Sequence, residues 1–271
     1  MTSEPVQDLP YAARPVRIGV QIQPQQADYA AIRRAVAEAE EMGVDVCFNW
    51  DHFYPLYGDA DGKHFECWTM LAAWAEATER VEIGALVTCN SYRNPDLRAD
   101  MARTVDHVSD GRLIFGIGSG WFEKDYDEYG YEFGTAGGRL DALAESMPRI
   151  TARWDRLNPQ PTRKIPVLIG GGGERKTLRI VARHADIWHG FGDTETIRHK
   201  HSVLDQWCAD IGRDPGEIER SCAVPDGDPS DGGDALYAIG TRLLTVSVGG
   251  PDYDLEPLRD WLAWRDEKNA S

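Results

Sequence analysis

Apolar, strand-like runs alternate with amphipathic segments eight times along the 271 residues, and this alternation constrains the fold more than any single motif. A strand that repeats only after a helix has to pair parallel to its predecessor, with helices covering the sheet. Strands are predicted at 16–22, 44–50, 81–88, 112–118, 166–170, 186–191, 218–224 and 242–248. Helices are predicted at 28–43, 64–78, 95–109, 138–154, 174–185, 194–212, 231–240 and 255–267. Local signals agree: Asp28 and His64 as caps, Pro95 opening a helix, Gly43 closing one and Pro148 interrupting one. Eight units with no break between halves predict a (β/α)8 TIM barrel, a single domain over 16–271, rather than an open doubly wound sheet. Residues 1–15 read as a flexible leader.

Charge narrows the partners. The net charge of -16 argues against nucleic acid and anionic membrane surfaces. Five cysteines without a CxxC pair read as reduced thiols. No apolar run approaches the roughly 18 residues of a membrane span, and the first residues lack a signal-peptide pattern. The expectation is a soluble cytoplasmic protein. No HExxH spacing or clustered Cys/His set occurs, so no metal site is expected, and no GxSxG supports a serine hydrolase.

A barrel keeps its chemistry at the C-terminal ends of its strands. Asp51, His52, Phe53 and Tyr54 follow the second strand. Thr88, Asn90, Ser91, Tyr92 and Arg93 follow the third, and Ser119, Gly120 and Trp121 the fourth. Asp51 and His52 are the candidates for acid–base work, because histidine exchanges protons near neutral pH and a neighbouring carboxylate can orient it. A structural pair at a loop start is the alternative. His107 and His184 read as packing or surface residues, and His199 and His201 as helix surface.

After the fifth strand come Gly170, Gly171, Gly172 and Gly173, then Glu174, Arg175 and Lys176. Glycines between a strand and a helix leave backbone N–H groups free to bind phosphate, with Arg175 and Lys176 as added donors. A tight turn without a ligand is the other reading. Trp50, Phe53, Trp121 and Trp188 either shape an apolar pocket or belong to the core.

Three blocks, "NWDHFYP", "LVTCNSYRNPDLRADMARTVDHVSDGRLIFGIGSGWFEKDYDEYG" and "PVLIGGGGERKTLRIVARHADIWHGF", together with the end "VSVGGPDYDLEPLRDWLAWRD", resemble the luciferase-like monooxygenase superfamily, and within it the branch of coenzyme F420-dependent oxidoreductases. The resemblance runs from about residue 16 to 267. It implies a deazaflavin at the barrel mouth, with FMN as the alternative cofactor. It implies Asp51 and His52 facing the reactive side of the ring, with His52 a proton partner steadied by Asp51. It implies Thr88 against the ring, and a non-proline cis bulge near Ala85–Leu86 behind it. Asn90 is expected at the cofactor, and the N–H groups of Gly171, Gly172, Gly173 and Glu174, with Arg175, at its phosphate. A homodimer and a small-molecule substrate are also implied.

The chain departs from the family's sugar-phosphate dehydrogenases. Leu56 stands where they carry a tryptophan and Trp121 where they carry a glutamate. That argues against a sugar phosphate, and leaves Glu123, Asp125 or Tyr126 as substitutes for the second acid. The functions expected are hydride transfer with coenzyme F420, then FMN-dependent monooxygenation, then cofactor binding without catalysis.

Overall fold

The computed structural model describes residues 9–224 and 229–270. Its strands are β1 (Arg17–Ile22), β2 (Val46–Asn49), β3 (Glu82–Ala85), β4 (Thr88–Cys89), β5 (Leu113–Gly118), β6 (Val167–Gly170), β7 (Ile187–Gly190), β8 (Glu219–Ala223) and β9 (Leu243–Val248). Every pairing between them is parallel. The order β3-β2-β1-β9-β8-β7-β6-β5-β4, with β3 also paired to β5, closes the sheet on itself. The third predicted strand is split into β3 and β4, so nine segments make an eight-stranded barrel.

The split has a packing cause. Gly116 has no side chain, and the carbonyl oxygen of Ala85 lies 1.8 Å from where its Cβ would stand. The Val87 side chain turns into the barrel over Gly118 and Gly170, within 2.7 Å and 3.1 Å of their would-be Cβ positions. Any larger residue there would drive the third strand out of the wall. The non-proline cis peptide bond among the described residues is Leu86–Val87, one residue beyond the expected Ala85–Leu86 position.

Helices α1 (Tyr29–Met42), α2 (Cys67–Ala77), α3 (Pro95–Val108), α4 (Glu123–Tyr129), α5 (Ala136–Trp154), α6 (Thr177–His184), α7 (Thr194–Ile211), α8 (Gly233–Ala238) and α9 (Pro257–Ala270) lie among and around the strands. Their buried faces form the main core against the outside of the sheet, with Trp68, Trp74, Trp154, Trp188 and Trp261 in it. A small plug of Val46, Phe48, Leu86, Ile114, Leu168, Ile187 and Leu243 fills the barrel interior.

Most predicted boundaries lie within three residues of the observed ones. Asp28 precedes α1 but caps nothing, because its carboxylate pairs with Lys63. Glu66, not His64, caps α2 by accepting from Trp68 N and Thr69 N. Pro148 lies inside α5 without ending it. His201 is buried rather than on a helix surface. α4 has no counterpart among the predicted helices. Of the expected leader, residues 1–8 lie outside the described residues. Tyr11 is buried, with its ring beneath the guanidinium of Arg220, and Arg242 donates to the carbonyl of Ala12.

Candidate active site at the barrel mouth

β2 ends at Asn49, so the chain delivers Trp50, Asp51 and His52 directly onto the C-terminal rim. The two expected catalytic neighbours then part. Asp51 is buried and turns toward β4: its Oδ2 accepts from Thr88 Oγ1 (2.6 Å) and Cys89 N (3.1 Å), and Arg93 donates to both its oxygens. Thr88 also accepts from Trp68 Nε1 (2.9 Å) and is fully buried. Asp51 and Thr88 therefore stitch β2 to the strand beyond the bulge. Neither offers an atom to the mouth, which corrects the expectation for both.

His52 takes its carboxylate from elsewhere. Its Nδ1 donates to Asp125 Oδ2 at 2.7 Å, and Asp125 lies on α4. Asp125 also accepts from Tyr92 Oη (2.9 Å), Phe53 N (3.1 Å) and Tyr54 N (3.2 Å). A carboxylate presents acceptors only, so Nδ1 carries the hydrogen of this bond and Nε2 is the nitrogen left for other partners. Of the three possible second acids, Asp125 is the buried carboxylate, while Glu123 is exposed. Rings of Trp50, Phe122 and Trp121 stand edge-on to the imidazole, with centroids 6.2, 5.4 and 5.7 Å away. Trp50 donates to His64 (3.1 Å), whose burial pushes its pKa down to about 4.

The bulge lies on the neighbouring strand. Leu86 N donates to Asn49 O, and Gln21 Nε2 donates to Leu86 O, both at 2.7 Å. Ala85 is buried, and Asn90 accepts from the buried Arg98 (2.9 Å). Val87 is the side chain that reaches across to Gly170, and its position was not anticipated. An apolar residue inside an apolar strand gives no sequence signal for such a role.

At Gly170 the wall passes into the glycine loop. Gly171, with φ of +124°, donates its N–H to His189 O (3.0 Å) and is not free for a ligand, contrary to expectation. The N–H groups of Gly172, Gly173, Glu174 and Arg175 donate to no acceptor among the described residues. The Glu174 carboxylate is held by Lys200 and His199, and Lys176 by Asp141. Arg175 is exposed and has no hydrogen bond or ion pair among the described residues. Four open N–H groups beside one unpaired guanidinium suit an anionic group, and Val87 of the bulge packs over Gly170 where this loop begins. Both fit a flavin-like cofactor.

A cavity of about 380 Å³ opens at the opposite, N-terminal end, with Arg17, Glu82, Arg163 and Glu219 among its charged lining residues. These charges pair with one another. The strands present their C-terminal ends at the other face, so that cavity is a stabilising seam rather than the site.

Residues 13–225 match the family model of the luciferase-like monooxygenases. The chain belongs to that family. Among its relatives, the F420-dependent glucose-6-phosphate dehydrogenase of Amycolatopsis mediterranei is 29% identical over 63% of this chain and 54% of that protein. The chain spans less than two thirds of the length of several curated relatives, 54% to 64%. An F420-dependent secondary alcohol dehydrogenase, solved with an F420–acetone adduct, superposes with a TM-score of 0.72 at 20% identity, over 78% of this chain and 69% of that one. The monooxygenase RslO1 of Streptomyces bottropensis superposes with a TM-score of 0.70 at 15% identity, over 92% and 98%. At these identities the two structures establish the shared fold. Among the described residues no helix is long and apolar enough to cross a membrane, and no cluster of three metal-ligating side chains occurs.

Proposed function

We propose that this protein is an oxidoreductase that uses coenzyme F420 to move a hydride to or from a small organic substrate. The observation that carries the reading is the His52–Asp125 pair on the C-terminal rim of the barrel. When bound, the deazaflavin supplies two-electron hydride exchange. Gly172, Gly173, Glu174 and Arg175 would hold its phosphate, and the bulge with Val87 would border its ring. Asp125 fixes the imidazole, and His52 Nε2 takes or gives the proton at the reacting oxygen of the substrate. Asp51, Thr88 and Arg93 keep the bulge in register with β2. The names of the dehydrogenase relative and the F420-bound neighbour support this choice of cofactor. A homodimer in the cytoplasm belongs to the same reading.

The second reading is an FMN-dependent monooxygenase, favoured by the likeness to RslO1 and by a 24% identical pyrimidine monooxygenase of Allorhizobium ampelinum. Titration of the purified protein with F420 and with FMN, followed by fluorescence quenching, separates the two. Tighter F420 binding is expected, and preference for FMN with substrate-dependent oxygen uptake would move the protein to the second reading. His52→Ala is expected to bind cofactor normally and to lose about 100-fold or more in turnover. Turnover equal to the parent would remove His52 from the mechanism.

A further inference from the structure

The side chains around His52 also carry information about what the site accepts. Seven large hydrophobic side chains are exposed among the described residues, and Tyr57, Trp121, Tyr129 and Phe191 are four of them. All four lie on segments that follow β2, β5 or β7, at the barrel mouth. Trp121 is 64% exposed yet stands edge-on to His52, and Tyr57, equally exposed, stands edge-on to Trp50 with centroids 6.3 Å apart. Exposed rings gathered on one rim mark a binding surface rather than scattered surface residues.

The cations near this surface are already engaged. Arg93 is held by Asp51 and Glu66. Lys124 pairs with Asp61, donates to Ala60 O and lies over the Tyr54 ring. Arg139 donates to the carbonyls of Gly120 and Phe133. Lys176 and Lys200 are bound to Asp141 and Glu174. The unpaired Arg175 sits on the glycine loop, where the cofactor's own anion needs it. A carboxylate or phosphate brought beside His52 would lose its hydration and would have to compete with these acceptors for any cation. A neutral ring would lose little water and gain stacking partners.

The geometry points to a substrate that is a neutral, planar aromatic compound carrying a carbonyl or hydroxyl for His52 Nε2, clamped by Trp121 with Tyr57 at the rim. This rests on the oxidoreductase reading of the same site. The experiment is ligand-observed NMR titration of the full chain with three probes: acetylnaphthalene, naphthoate and cyclohexyl methyl ketone. Acetylnaphthalene is expected to bind about tenfold more tightly than either the anion or the saturated ketone, and Trp121→Ala to weaken it about tenfold. Melting curves check that the variant folds, and Trp121 is exposed enough for the fold to survive. Equal binding of naphthoate or of the saturated ketone overturns the inference, as does an unchanged affinity in Trp121→Ala. F420 affinity is measured separately. Loss of F420 binding with the aromatic preference intact would sink the cofactor reading alone, and normal F420 binding without that preference would sink this inference alone.

Discussion

Asp125 Oδ2 accepts the Nδ1 hydrogen of His52 at 2.7 Å across 73 residues of chain, and this bond decides which imidazole nitrogen faces the mouth. The carboxylate adjacent in sequence, Asp51, is turned away to Arg93 and Thr88. A loop carboxylate next to a histidine would swing with the loop. One on α4, tied down by Tyr92 Oη and two backbone N–H groups, holds the ring against a fixed frame.

Asp125→Asn keeps the shape and replaces an acceptor by an amide that can donate to Nδ1. The tautomer then shifts and Nε2 carries the hydrogen instead. Turnover is expected to fall about 100-fold with F420 affinity unchanged. Nitrogen NMR of the histidine side chains reads the tautomer directly, and an unchanged Nδ1–H signal would contradict this role.

Asp51→Asn leaves the buried side of Arg93 short of one counter-charge and weakens the link between β2 and β4. Breaking such a buried pair typically costs about 3 kcal/mol. Urea denaturation should register a loss of that order, while the protein that remains folded keeps most of its turnover. A variant of parental stability with turnover abolished would return Asp51 to a chemical role.

Arg175→Glu puts a negative charge beside the four open N–H groups. Affinity for F420 should drop about tenfold or more, and more steeply at low salt. Since Arg175 is exposed and unpaired, the melting temperature should stay that of the parent. Parental affinity at low salt would mean that the loop is only a turn.

Burial pushes the pKa of His201 and of His189 down to about 3, and that of His64 down to about 4. An unfolded histidine titrates near 6.5. The unfolded chain therefore binds these protons first as pH falls. The resulting stability is full above about pH 6.5 and is lost progressively toward pH 4 and below. One such group contributes a slope of about 1.4 kcal/mol per pH unit within that window. His201→Gln should flatten the pH dependence of the urea midpoint near pH 5 by about that amount. An unaltered slope would mean that His201 is protonated in the folded state.

Much of the architecture was legible from local pattern. Each strand and each flanking helix is written in residues close together in the chain, because the periods of two and of 3.6 residues arise from backbone geometry within one element. Eight such units then leave few ways to bury every strand, and the barrel follows. The glycine run was readable for the same reason, since conformational freedom is a property of the residue itself.

The partners inside the site were not legible. α4, "EKDYDEY", is seven residues long and mostly charged, so no apolar stripe announces it, yet it carries the acceptor for His52. The pairing of Asp51 with Arg93, the capture of the Gly171 N–H by His189 and the placing of Val87 over Gly170 all join different strands across the closed ring. Sequence alone determined which segments end at the mouth of this barrel. The tertiary structure decided which of them touch, because hydrogen bonds and ion pairs act over about 3 Å, and only closure of the barrel brings positions some 70 residues apart within that reach.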